Sequence, residues 1–314
     1  MNLLIGAATI GLILAPLALG VFISYRIYHT LDLTADGSFG VGAAVVAALL
    51  VRDVPPLAAT ALGTLAGVAA GGITGILHTQ FLVSALLAGV LTSTALYSAI
   101  LFIMGSGNLS LASTQSLVTW AERLGQRVGL PPTLTLLGTT VPGDRLVDLL
   151  LVALLVGALA LGLTLFLGTD LGLAMRAAGN NPQMAKAVGI EVDRMVVLGL
   201  GLSNGLIALA GALLAQYQGF ANIQMGIGMV VTGVATLLIG ETLLGRRPLG
   251  RWIAGAIAGA VVFRLLLALA LKAGLDPNAL KLVTALFVFA VLVLPGLGRR
   301  ARHRRPAEGA PSRA

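Results

Sequence analysis

The chain has 314 residues, of which 57% are hydrophobic and 10% charged, and its mean hydropathy is +0.98. A soluble domain carries roughly 25% charged residues, so a water-soluble fold is excluded and an integral membrane protein is left. The absence of cysteine excludes disulfides and thiolate chemistry, and the formal net charge of +8 is a matter of membrane topology rather than of nucleic-acid binding.

Met1–Ile23 is an apolar run without charge. It lacks a basic leading segment and a small-residue cleavage site, and more apolar segments follow at once. It is therefore predicted as a first spanning helix, not a signal peptide. Ser24–Ala35 is a polar link carrying Arg26, His29 and Asp32. Asp36–Val51, DGSFGVGAAVVAALLV, is shorter than the roughly 20 residues that cross a bilayer. Asp36-Gly37-Ser38 is a strong N-cap signal. Two placements fit: a helix that begins inside the membrane beside a water-filled path, and a slightly short span capped at the surface.

Leu57–Leu77 and Phe81–Met104 are further predicted spans, joined by His78-Thr79-Gln80. Gly105–Arg145 is the longest link. Within it, Thr114–Val128 has the spacing of an amphipathic helix, ended by Gly129 and Pro131, and Trp120 suits a lipid interface. Leu146–Leu167 spans again.

Gly168–Arg194 is a polar island between two apolar runs. Asn181 fits an N-cap, Pro182 the first helical position and Gly189 the stop. Met184, Ala185 and Val188 fall on one side of this short helix, Gln183 and Lys186 on the other. So short a helix is not stable alone in water, and its small apolar face suits a groove in another protein. The same pattern also suits an ordinary cytoplasmic loop containing one turn of helix.

Val196–Tyr217 spans, Gln218–Gly226 links, and Ile227–Leu244 is a second short, glycine-containing segment. The order of apolar helix, polar link and short small-residue helix thus occurs twice, as in transporters with an internal duplication. Trp252–Leu271 and Lys281–Leu297 are the last spans. Arg299–Ala314 carries six arginines and no apolar periodicity, and is predicted as a disordered basic end.

Placing that tail in the cytoplasm puts thirteen Lys and Arg inside: Arg26, Arg176, Lys186, Arg194, Arg246, Arg247, Arg251 and the six of the tail. Six fall outside: Arg52, Arg123, Arg127, Arg145, Lys272 and Lys281. The opposite orientation violates the positive-inside bias. The two copies of the repeat are then inverted, the 168–194 loop is cytoplasmic and the 105–145 loop external. The expected fold is an all-α polytopic membrane protein of about eight to nine transmembrane segments, with an inverted internal repeat and short broken or re-entrant helices.

No phosphate-binding loop, metal spacing or hydrolytic set occurs, and His29, His78 and His303 lie far apart. Among charged residues in or near spans, Asp36 is expected to cap its helix or face the path. Glu241 is expected to pair with Arg246 or Arg247, and Arg264 to snorkel or to pair within the bundle.

Three blocks carry a resemblance. Met175, Arg176, Ala177, Gly179, Asn181, Pro182, Ala185, Gly189 and Ile190 match the coupling loop of bacterial ABC importer permeases of the branched-chain amino-acid type. LDLTADGSFGVGAA at 31–44 and GLSNGLIALAGALLAQYQGFANIQMGIG at 201–228 resemble the narrower set of tryptophan/tyrosine ABC transport permeases. The resemblance implies one transmembrane permease domain over 1–297, with repeat-like halves at about 1–104 and 196–297. It also implies a coupling loop at 168–194 and a cytoplasmic tail at 298–314.

By the same resemblance the chain is a non-enzymatic importer subunit in the bacterial cytoplasmic membrane, paired as a homodimer, with a cytoplasmic ABC ATPase and an extracytoplasmic substrate-binding protein as partners. The chain would bind no cofactor, with ATP and Mg on the ATPase. The substrate path is expected at Asp32, Asp36, Gly37, Ser38, Gly226 and Gly228. ATPase coupling is expected at Arg176, Asn181, Pro182, Met184, Ala185, Val188 and Gly189. An ion-coupled secondary transporter also uses inverted repeats, but needs a titratable relay, for which Asp36, Glu241 and Arg264 are the candidates. A non-transporting membrane scaffold is a third reading.

Overall fold

The apolar runs become helices in a computed structural model of the chain, which describes residues 2–127, 133–136, 139–245 and 248–276, with positions 279, 282–286 and 289. The first span, Leu3–Ile27, is composite. It consists of α1 (Asn2–Ile13), α2 (Ala15–Val21) and a π-helical segment, Phe22–Ile27. Pro16 lies in the first turn of α2, where its missing N–H breaks the backbone ladder after α1. The wider π turn closes with Tyr28 N–H donating to the Ile23 carbonyl at 3.2 Å. The short helix α3 (Thr34–Leu50) follows, then the long helices α4 (Pro56–Thr79) and α5 (Ala85–Met104). Strand β1 (Asn108–Ser110), the amphipathic α6 (Leu117–Arg127) and a hairpin of β2 (Thr133–Leu136) and β3 (Thr139–Pro142) fill the long link.

The span α7 (Gly143–Gly168) leads to α8 (Asp170–Asn180) and α9 (Pro182–Ala187). The bundle is completed by α10 (Val192–Gln218), β4 (Phe220–Asn222), α11 (Met229–Leu244) and α12 (Leu249–Lys272). Six helices among the described residues are long and apolar enough to cross a membrane, and α3 and α11 are shorter apolar helices. Of the ninth predicted segment, Lys281–Leu297, only 282–286 and 289 are among the described residues, and Arg246, Arg247 and the basic tail lie outside them.

The centre of the bundle is set by small residues. In their most apolar stretches the Leu3–Ile27 span and α10 are 67% and 72% buried, against 11% for α7. A Cβ on Gly42 of α3 would overlap the Ala208 carbonyl of α10, and one on Gly240 of α11 would overlap the Gly255 carbonyl of α12. Backbones that approach this closely gain dispersion contacts that lipid cannot match, which is how membrane helices associate. The outer faces of α4, α5 and α7 instead expose large apolar side chains such as Leu65, Phe102 and Leu154.

The contacts sort the links into two ends. At one end, the Tyr28 hydroxyl donates to the Met195 carbonyl, Gly179 of α8 packs on the Ile27 carbonyl, and Arg26 meets Glu241. At the other, β1 pairs antiparallel with β4, and Leu117 N–H donates to Gln216 Oε1 at 3.0 Å. The first of these is called the α8–α9 end below, the second the α6 end. Thus α3 runs toward the α6 end, where Leu50 packs in one cluster with Met104 and Leu111, while α11 runs the opposite way and carries Glu241 in its last turn.

Candidate functional site

The two short helices meet at their N-terminal ends. Helix α3 begins at Thr34, not at Asp36, because Asp32 supplies its cap: Thr34 N–H donates to Asp32 Oδ1 at 2.8 Å. Asp36, expected to cap its own helix or to face the path, caps the facing helix. Its two carboxylate oxygens accept from Gly228 N–H at 3.0 Å and Val230 N–H at 2.8 Å, at the start of α11. A carboxylate there satisfies orphan backbone donors and sits at the positive end of the helix dipole. Gly228 adopts φ 86°, and Gly226 lies so close that a Cβ would overlap the Asp36 carbonyl oxygen. Both positions therefore require glycine, one for conformation and one for space.

A cavity of about 280 Å³ lies beside this junction. Asp36 and Gly37 of α3, Ser93, Thr94 and Tyr97 of α5, and Gly226 of the β4–α11 link all line it. Of the six residues expected on the path, the structure brings Asp36, Gly37 and Gly226 to the cavity wall. Asp32 and Ser38 are instead buried behind it. Asn204 of α10 donates to Asp32 Oδ2 at 2.6 Å, and Ser38 donates to Asn204 Oδ1 at 2.7 Å. These three side chains tie α10 to the start of α3. A second chain of buried hydroxyls links Thr34, Thr74 and Thr92 at 2.8 and 2.9 Å, and so ties α3 to α4 and α5.

Gly37 does not stand open for a ligand. A Cβ there would meet the Leu96 side chain at 2.8 Å and the Ser93 Cα at 3.0 Å, so the glycine serves the packing of α3 on α5. At the starts of the two short helices, Thr34 N–H is taken by Asp32 and the N–H groups of Gly228 and Val230 by Asp36. The α5 residues Ser93, Thr94 and Tyr97 were not anticipated from the sequence, although the polar pair Ser93-Thr94 inside an apolar span was a readable sign. Asn204 of α10, whose amide donates to Asp32 and to the Leu200 carbonyl and whose carbonyl accepts from Ser38, was missed in the same way.

Glu241 pairs with Arg26; the partners expected from the sequence, Arg246 and Arg247, lie outside the described residues. The guanidinium donates from Nε to Oε1 at 2.5 Å and from Nη2 to Oε2 at 2.6 Å, a two-pronged fork. Trp252 Nε1 also donates to Oε1 at 3.0 Å, and its ring stands edge-on to Phe22 at 5.0 Å. Arg26 lies in the π-helical segment, so its fork clasps the composite first span to the end of α11. Arg264 Nε is buried without a hydrogen-bond partner.

At the α8–α9 end, Asn181 accepts from Met184 N–H at 3.0 Å, Pro182 opens α9, and Gly189 terminates the turn at φ 87°. Arg176 is half-buried on α8. Ala185 faces its own chain, buried with Ala178 and Val192, whereas Met184 and Val188 are 65% and 66% exposed. The three apolar residues grouped by the sequence therefore divide: one holds α9 in place and two are presented outward.

Residues 3–294 match the family described as branched-chain amino acid transport system, permease component. The chain belongs to that family. It is 37% identical over 297 residues to a tyrosine transport system permease protein of Clostridioides difficile, covering 95% of this chain and 92% of that one. An uncharacterized protein of Rickettsia prowazekii is 33% identical over 298 residues, covering 93% and 97%. An autoinducer 2 import system permease protein of Yersinia enterocolitica is 30% identical over 237 residues, covering 74% of this chain and 54% of its own length. No solved structure matches. With its apolar helices, the chain is a multi-pass membrane protein and a transport permease component rather than an enzyme.

Proposed function

We propose that the chain is the membrane-spanning subunit of an ABC importer in the bacterial cytoplasmic membrane, moving a small amino-acid-like solute, tyrosine or tryptophan, inward. ATP and Mg are bound and hydrolysed by a separate cytoplasmic ATPase, a substrate-binding protein delivers the solute from outside, and two copies of the chain pair. The C-terminus is cytoplasmic. The observation that carries this reading is the cavity where the two oppositely directed short helices meet, walled by the Tyr97 ring and by the hydroxyl-bearing Ser93 and Thr94. An aromatic solute gains from an aromatic wall, and the similar Clostridioides protein is described as a tyrosine permease.

Asp32, Asp36 and Glu241 all accept N–H hydrogen bonds within the chain, which weighs against a proton relay through them. The test is uptake of tritiated tyrosine by proteoliposomes holding the chain with candidate ATPase and binding-protein subunits. ATP-dependent uptake is expected. Tyr97→Phe should retain it, and Tyr97→Ala should lower it about two- to tenfold. Uptake that follows an imposed proton gradient and ignores ATP would point to the secondary transporter.

A further inference from the structure

A second cavity, of about 210 Å³, lies beneath the amphipathic α6 and shares no lining residue with the first. Val118 and Trp120 of α6, Asp148 and Val152 of α7, and Leu213 and Tyr217 of α10 are among its walls. They are almost all apolar. The Gln216 amide and the Tyr217 hydroxyl are polar, and Asp148 is the one charged residue in the wall: it is 9% exposed, and its Oδ1 has no hydrogen-bond partner. A carboxylate buried among apolar side chains without a donor is costly and calls for a cation or a donor group. Among the described residues none donates to Oδ1. The Gln216 amide nitrogen donates to Thr60 Oγ1 and the Ala212 carbonyl, and its oxygen accepts from Leu117 N–H.

Glu122 and Asp144 are further carboxylates whose fields act on Asp148. Among the described side chains, the neighbouring bases are turned elsewhere. Arg123 is exposed and bonds Gln115, and Arg145 is exposed and acts on Tyr217. The volume is below the usual range for drug-sized ligands, so it suits a small one. We propose that this cavity binds a primary ammonium carried on a short apolar chain or ring, with Asp148 holding the ammonium. The body lies among Val152, Leu213 and the α6 residues, and the Trp120 indole in the wall adds attraction for a cation. Two sources share this chemistry, a free aryl- or alkylamine and the ethanolamine headgroup of a membrane lipid.

The test is equilibrium binding of tritiated 2-phenylethylamine to the full chain in phosphatidylcholine nanodiscs. Saturable binding is expected, with no competition from 3-phenylpropanoate, which has the same body and the opposite charge. Asp148→Asn keeps the shape and removes the charge, and should weaken binding by about tenfold or more. Val152→Trp keeps Asp148 and fills the volume, and should weaken it as much. Replacing part of the lipid by phosphatidylethanolamine separates the sources: competition with the amine identifies the headgroup as occupant, and unchanged binding identifies a free amine. Uptake no greater than into empty nanodiscs, wild-type affinity in Asp148→Asn, or equal competition by the propanoate would overturn the proposal.

Discussion

Asp36 shows how one residue can be read correctly in kind and wrongly in place. The pattern Asp-Gly-Ser before an apolar run marks a cap, and Asp36 is a cap, but of α11, 192 residues away in sequence. Local sequence reports which side chains can cap. It does not report which helix end the fold brings to them. The same holds for Glu241, whose acid character in an apolar helix demanded a partner, while its bonds to Arg26 and Trp252 join it to distant parts of the chain that no local pattern names. With both Asp36 oxygens accepting N–H groups, Asp36→Asn keeps one acceptor and turns an amide N–H₂ on the other donor. Asp36→Ala loses both. Loss of a cap costs about 0.5–2 kcal/mol, so the thermal midpoint in detergent, followed by tryptophan fluorescence, should fall in the order wild type, Asn, Ala. Tyrosine uptake should fall in step as the wall at Gly226 and Ile227 loosens. An Asn variant with the wild-type midpoint would show that these two hydrogen bonds do not hold α11.

At the scale of elements, the long spans were legible because composition alone decides what must lie in lipid. The caps of α9 were legible because Asn181, Pro182 and Gly189 each act on their own backbone. Helix α8 was not predicted. Its apolar side, Met175 and Ala178, is buried, and Gly179 sets it against the Ile27 carbonyl, contacts that no local pattern encodes. The hairpin of β2 and β3 was missed within the long link. The cavity was half legible: Asp36, Gly37 and Gly226 stand out in sequence, but the facing wall comes from α5, which reads as plain apolar span. The division within α9 makes a sharper test of coupling than a charge placed anywhere on its apolar side. Met184→Glu and Val188→Glu put a carboxylate on exposed positions. They should leave insertion and thermal midpoint unchanged yet abolish substrate-stimulated ATP hydrolysis in the assembled transporter. Ala185→Glu buries the charge inside this chain, at a cost of several kcal/mol if it stays ionised, and should lower the midpoint itself. Full stimulated hydrolysis in the Met184 and Val188 variants would reduce α9 to a linker.

For the whole molecule, the arrangement of links at two ends is a matter of contacts, and which end faces the cytoplasm is a matter of charge. The α8–α9 end gathers Arg26, Arg176, Lys186, Arg194 and Arg251, while Arg52, Arg123 and Arg145 lie at the α6 end. Basic residues are retained on the cytoplasmic side during insertion, so the α8–α9 end is expected inside, where an ATPase can reach Met184 and Val188. The absence of cysteine makes this directly measurable. The reporting positions must be chosen by exposure: Ser116 is buried and bonded to Thr119, so a thiol placed there would stay silent on either side. Ser113, in the exposed turn before α6, and Gln183, exposed on α9, are suitable instead. In intact cells a membrane-impermeant maleimide should label Ser113→Cys and spare Gln183→Cys, and permeabilisation should expose both. Labelling of Gln183→Cys alone would invert the molecule, put α9 out of reach of any cytoplasmic ATPase, and remove the basis for inward transport driven from that end.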